Sequence, residues 1–159
     1  MAHSYISVEN NSNIERRVAV PDGALDLFMY FFNEVAEPKV KPNSDEIKVC
    51  EHYKIELLEK HSSYKEVLLQ EITEDKHLKD WYLLMLSQLE SKIDEFGEYI
   101  DSQYLNQIPE LLVGYVAGSI FLEPVPTSTL KNLINDIYWV LNERERIPSG
   151  QYKWFEENV

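Results

Sequence analysis

Residues 73–106 read TEDKHLKDWYLLMLSQLESKIDEFGEYIDSQYLN, and the fold class is decided in this stretch. Leu78, Tyr82, Met85, Leu89, Ile93, Phe96, Ile100 and Tyr104 recur at spacings of three and four, the period of one helix face. Around Trp81-Tyr82-Leu83-Leu84-Met85-Leu86 the pattern is apolar all round, as in a helix surrounded by neighbours. From Glu90 onward the outer side carries Glu90, Asp94, Glu98 and Asp101, a carboxylate row at i, i+4, i+8 and i+11. The pattern predicts one long helix, its first half in the core and its second half showing an acidic face. Gly97 is its weak point, costing up to about 1 kcal/mol relative to alanine, so a kink or break belongs near it.

Working outward, the remaining segments predict more helices. Pro21-Asp22 opens one, with Asp22 as N-cap, and Pro38 stops it. Ala24, Leu25, Phe28, Phe31, Phe32 and Val35 form its apolar arc; Asp26, Tyr30, Asn33, Glu34 and Glu37 form the opposite one. Ser44, followed by Asp45 and Glu46, starts a helix to about His61 that buries Ile47, Cys50, Leu57 and Leu58. Ser63 and Glu66 match a capping box for a short helix through Val67, Leu68 and Ile72, and Thr73 caps the long helix. Pro109 suits the first position of a helix over 109–122, apolar on nearly every side, in which Gly114 and Gly118 permit close approach of a neighbour. This helix is expected at the centre. After Glu123-Pro124-Val125-Pro126, Thr127 or Ser128 caps a helix whose core stripe is Leu130, Leu133, Ile134, Ile137, Val140 and Leu141. Trp139 falls off that stripe, so the N-terminal arm or the C-terminal tail covers it, or it is an exposed contact. A last short helix spans 151–158, with Trp154 or Phe155 inward.

Residues 3–20 differ. Ser4-Tyr5-Ile6-Ser7-Val8 alternates weakly, Asn10 to Asn13 is turn chemistry, and Arg17 to Val20 returns as a second strand, giving either a hairpin or a loosely packed arm. The fold expected is mainly all-α: an arm or hairpin over 1–20, then a single domain over 21–159 built as a compact bundle of five to seven helices.

Composition narrows function. With 159 residues and 44% hydrophobic content the chain can build one real core. Its formal charge of −13 disfavours nucleic acid and anionic membrane surfaces, whose phosphates it would repel, and favours a basic partner or plain solubility. The single cysteine, Cys50, has no internal disulfide partner. No signal-peptide core stands in Met1 to Val20, and Leu111 to Leu122 falls short of the roughly 20 residues a bilayer span needs. A cytoplasmic protein is expected.

Catalytic signatures are missing. There is no Gly-x-Ser-x-Gly, no phosphate-cradling glycine loop, and no partner signature for Cys50, so no enzyme and no cofactor are expected. For a metal, Glu74 with His77 gives one copy of a Glu-x-x-His unit that di-iron bundles need twice, and His52, Glu56 and His61 lie on a mixed face; no metal site is expected. What remains is two acidic tracts: Asp26, Tyr30, Glu34 and Glu37, and Glu90, Asp94, Glu98 and Asp101. Rows of carboxylates at about 6 Å per step oppose a basic groove, and Tyr30 supplies an aromatic anchor among them. The expectation is a small acidic binding protein of the inhibitor or immunity type that neutralises a basic partner such as a nuclease toxin. The alternative is a helical module that self-associates through Gly114/Gly118, Trp139 and Trp154. The sequence leaves the oligomeric state open.

Overall fold

A computed structural model describes residues 3–9, 15–58, 64–112, 121–146 and 152–158. The N-terminal segment is a true hairpin: β1 (His3–Glu9) pairs antiparallel with β2 (Glu15–Pro21), in the register Ser4↔Val20, Ile6↔Val18 and Val8↔Arg16. Alternation puts Ser4, Ile6, Val8, Val18 and Val20 inward, while Arg17 lies 3.5 Å over the Tyr5 ring on the outer face.

The rest is helical, with α1 (Asp22–Ala36), α2 (Asp45–Leu58), α3 (Leu69–Glu74), α4 (Lys76–Asp94), α5 (Ser102–Leu105), α6 (Pro109–Leu112), α7 (Thr127–Val140) and α8 (Lys153–Asn158). Four of these exceed ten residues, and the others are four to six residues long. Two short strands, β3 (Tyr99–Ile100) and β4 (Val125–Pro126), pair antiparallel. Among the described residues no helix is long and apolar enough to cross a membrane.

The centre of the molecule is α1. Eleven of its 15 residues are buried, and it packs on α2, α4, α6, α7 and β2. Centrality had been expected of 109–122; there α6 begins at Pro109 as anticipated, residues 113–120 with Gly114 and Gly118 lie outside the described residues, and Phe121 and Leu122 are not helical. Leu122 is 80% exposed, so the apolar run does not end inside a helix.

Several helix boundaries move for local reasons. Asp22 is the first residue of α1 rather than its cap, and its carboxylate accepts from Ser4 Oγ at 2.7 Å, tying helix to hairpin. Ser44 caps α2 as expected, accepting from the Ile47 amide at 3.2 Å. Val49, Cys50, Tyr53, Glu56 and Leu57 share its inner face, which leaves Ile47 at the edge and turns Leu58 to solvent. Ser63 and His61 lie outside the described residues. The next helix starts only at Leu69, because Leu68 adopts a left-handed conformation (φ 63°). Thr73 belongs to the last turn of α3, and Asp75 caps α4 through the Leu78 amide at 3.1 Å.

The long helix ends at Asp94. Gly97, at φ +78°, supplies the left-handed residue that closes it, with its amide donating to Asp94 O at 3.1 Å. The chain then reverses through β3 into α5, capped by Asp101. Thr127 opens α7 not as a cap but as a donor back to the Gly97 carbonyl at 2.7 Å. The α7 stripe from Leu130 to Leu141 is buried as anticipated, and Phe155 of α8 is fully inside.

One ammonium group is buried in this core. The Lys65 side chain is 3% exposed and lies 3.1 Å from Asp26 Oδ1, while its Nζ donates to the Glu56 carbonyl at 2.7 Å. Removing one partner strands the other charge, so Lys65→Ala is expected to lose about 3–5 kcal/mol in urea unfolding, and Asp26→Leu with Lys65→Met to recover much of it. A loss under about 1 kcal/mol in the single variant would show that the pair does not hold the core.

Candidate functional site

The structure takes apart the two acidic tracts. Asp26 is inside the protein, 7% exposed and paired with Lys65, so it is no surface contact. Glu37 pairs with Lys54 at 3.3 Å. Glu90 is held by both guanidinium nitrogens of Arg144, at 3.1 and 3.2 Å, and Asp94 pairs with Lys131 of α7. Asp101 is spent on capping α5, accepting from the Gln103 amide at 2.9 Å. Glu98 is exposed in the turn after α4, off any helix. The row of four carboxylates on one helix does not exist, because the helix stops before its third member.

Tyr30 and Glu34 survive, and the fold brings new neighbours to them. They stand one turn apart on α1, with Glu34 exposed and Tyr30 half-buried. Burial, then the charge of Glu34, then Tyr104 and Glu110, hold the Tyr30 phenol protonated well above its ordinary range. Tyr104 is raised in the same way by burial and by Glu34. A chain of rings sets the rigid floor: Tyr30 to Phe31 at 5.2 Å, Phe31 to Phe96 at 5.5 Å and Phe96 to Tyr104 at 5.8 Å between centroids. The reversal at Gly97 is what carries Tyr104 and, on α6, Glu110 back against α1. Tyr104 remains 41% exposed, and neither Glu34 nor Glu110 has an ion-pair partner among the described residues. The result is two phenol donors and two uncompensated carboxylates on an ordered aromatic base.

Tyr104 was visible in the sequence only as one more member of the α4 stripe, and Glu110 only as a residue after Pro109. Their assembly depends on a chain reversal that no local pattern announces.

The other candidates are otherwise occupied. Trp139 is half-buried, with the Arg16 guanidinium of β2 5.3 Å and that of Arg146 5.6 Å from its ring. Arg16 also donates to the Trp139 carbonyl at 2.7 Å. Trp154 packs edge-on against Phe155, 5.0 Å between centroids. Glu74 accepts from Gln70, and the His52 ring nitrogen sits 2.8 Å from the Glu66 carbonyl. Among the described residues no three His, Cys, Asp or Glu side chains converge on a point where a metal would sit.

Comparison with known proteins gives no match to any family model, curated protein or solved structure.

Cys50 is fully buried beneath α1, and desolvation, followed by the charges of Glu37 and Glu51, pushes its thiol up to about 12. The reactive thiolate is therefore scarce at neutral pH. A disulfide reagent at pH 8 is expected to leave native Cys50 unmodified and to titrate one thiol in denaturant. Rapid modification of the native protein would contradict this placement.

Proposed function

We propose that this chain is a binding protein of the inhibitor or immunity type, which captures a basic protein partner through the surface formed by Tyr30, Glu34, Tyr104 and Glu110. The observation that carries this reading is that these two carboxylates have no ion-pair partner among the described residues, while Asp26, Glu37, Glu90, Asp94 and Asp101 are internally committed. A net charge of −13 draws basic proteins from a distance, and a rigid tyrosine-bearing surface supplies the short-range anchors that typically dominate an interface. A partner that binds nucleic acid, such as a nuclease toxin, presents the required basic groove, and occupying that groove would block it. Glu98 and the exposed Tyr99 lie in the chain reversal that precedes Tyr104 and extend the acidic, aromatic character of this region.

Self-association draws less support. Trp139, one of the contacts it would use, is half-buried and already has two arginine guanidiniums beside its ring.

The test is capture of a partner from the native host, with binding then measured at about 50 and 500 mM salt, conditions that straddle strong and weak screening. The partner is expected to be basic and to bind more weakly at high salt. Glu34→Lys with Glu110→Lys is expected to weaken it by about tenfold or more, whereas Asp94→Asn, already neutralised by Lys131, changes it little. An acidic partner, or an affinity indifferent to both salt and charge reversal, would overturn the proposal.

A further inference from the structure

Strand β1 has two edges, and only the one facing β2 is paired with a strand. In an antiparallel ladder the amide and carbonyl of one residue point to the same side, and every second residue repeats that direction. Glu9 fixes which side is open: its amide donates to Gln70 Oε1 at 2.9 Å, and its carbonyl accepts from Gln70 Nε2 at 3.4 Å. Those groups face away from β2, so the main-chain groups of Ser7 and Tyr5 face away as well. The Gln70 side-chain amide thus makes at Glu9 the two bonds that one peptide unit of a neighbouring strand would make. Among the described residues nothing continues that pattern, for neither Tyr5 nor Ser7 makes a main-chain bond outside the hairpin.

These open groups border a cleft of about 360 Å³ between β1 and the irregular segment leading into α3, lined by Tyr5, Ile6 and Ser7 on one side and by residues 64–71 on the other. Its far wall is held in place by Ser4, whose hydroxyl accepts from the Lys65 amide at 2.9 Å. Two well-exposed rings, Tyr5 and Tyr64, border it. Of the charged residues that line it, Glu66 and Glu71 face solvent while the ammonium of Lys65 is turned inward to Asp26, and Arg17 stands over the Tyr5 ring at its border. Unpaired edges of this kind accept added strands, with main-chain bonds giving affinity and flanking side chains giving preference.

We infer that the free edge of β1 is a docking site for an extended, basic peptide segment of a partner protein, which adds as a third strand. The segment pairs with Tyr5 and Ser7 through up to four main-chain hydrogen bonds, two at each residue. Its side chains alternate, so one set meets the Tyr5 and Tyr64 rings and lysines or arginines of the strand approach Glu66 and Glu71. The inference stands on the strand edge and is separate from the Tyr30 surface.

The probe is an end-blocked heptapeptide alternating lysine and valine, followed by site-resolved amide exchange of the full chain. In the free protein the Tyr5 and Ser7 amides are expected to exchange quickly, beside a slow Ile6. Saturating peptide is expected to slow both at least tenfold, and the same peptide with glutamate for lysine to leave them unchanged. Ser7→Pro, tolerated on an edge whose N–H faces outward, removes one donor and is expected to weaken the peptide while circular dichroism shows retained fold. If that variant does not fold, the wild-type exchange pattern still decides. Tyr5 and Ser7 amides already protected without peptide, no added protection at millimolar peptide, or equal protection by the glutamate peptide would each overturn the inference. Glu34→Lys with Glu110→Lys separates the two sites: it is expected to spare the peptide effect even where it abolishes capture of the basic partner.

Discussion

Burying one lysine constrains the whole arrangement. The Lys65 ammonium reaches Asp26 on α1 and the carbonyl of Glu56 on α2, while the amide of the same residue bonds Ser4 on β1, and Ser4 in turn bonds Asp22. Three separate elements, α1, α2 and β1, meet around one residue in an irregular stretch of chain. The net gain from such a pair is small, because both charges were well solvated before folding. The cost of separating them inside the core is large, so packings that move α1 away from the hairpin or from α2 are strongly disfavoured. Nearby, the buried hydroxyls of Tyr53 and Tyr82 bond each other at 2.7 Å, and Tyr53 donates on to the Val67 carbonyl at 2.7 Å, which ties the same stretch to α2 and α4. Burial holds both phenols protonated.

The same logic governs the second polar centre. Asp136 on α7 is 1% exposed and takes bonds from Arg146 at 3.1 Å and from the Tyr152 hydroxyl at 2.8 Å, which anchors the tail and α8. Arg144 clamps Glu90 and lies 3.8 Å over the Tyr138 ring. A chain with 28 acidic and 15 basic side chains thus commits many of its cations to internal or short-range pairs, and the acids left over set the character of its surface. Glu34 and Glu110 stand out among those because they sit beside phenols on an ordered base, where a docking partner meets shape as well as charge.

Features set by neighbours in sequence were legible from the start. The α7 stripe faces one core and keeps a clean helical period; the Ser44 cap and the Pro109 start depend on residues three or four positions apart; the weak alternation around a turn-rich run left hairpin and loose arm both open, and the structure shows the hairpin. Features set by distant partners were not. Asp26 reads as a polar-face residue until Lys65, 39 positions later, is seen to meet it. Phe96, Ile100 and Tyr104 continue the α4 period across Gly97, yet the left-handed glycine ends the helix and turns the same residues into a reversal. The acidic row vanished with that helix. Glu34 stays exposed and Tyr30 half-buried on one turn of α1, and what gave them company was tertiary structure alone.

The central claim is a division of the carboxylates into those committed inside the fold and those left for a partner. Carbodiimide labelling of carboxyl groups, read residue by residue by mass spectrometry with and without the captured partner, tests it most directly. The account predicts fast labelling of Glu34 and Glu110 in the free protein, slow labelling of Asp26 and Asp136, and loss of labelling at Glu34 and Glu110 in the complex. Fast labelling of Asp26, or partner protection along Glu90 and Asp94 with Glu34 and Glu110 still open, would contradict it.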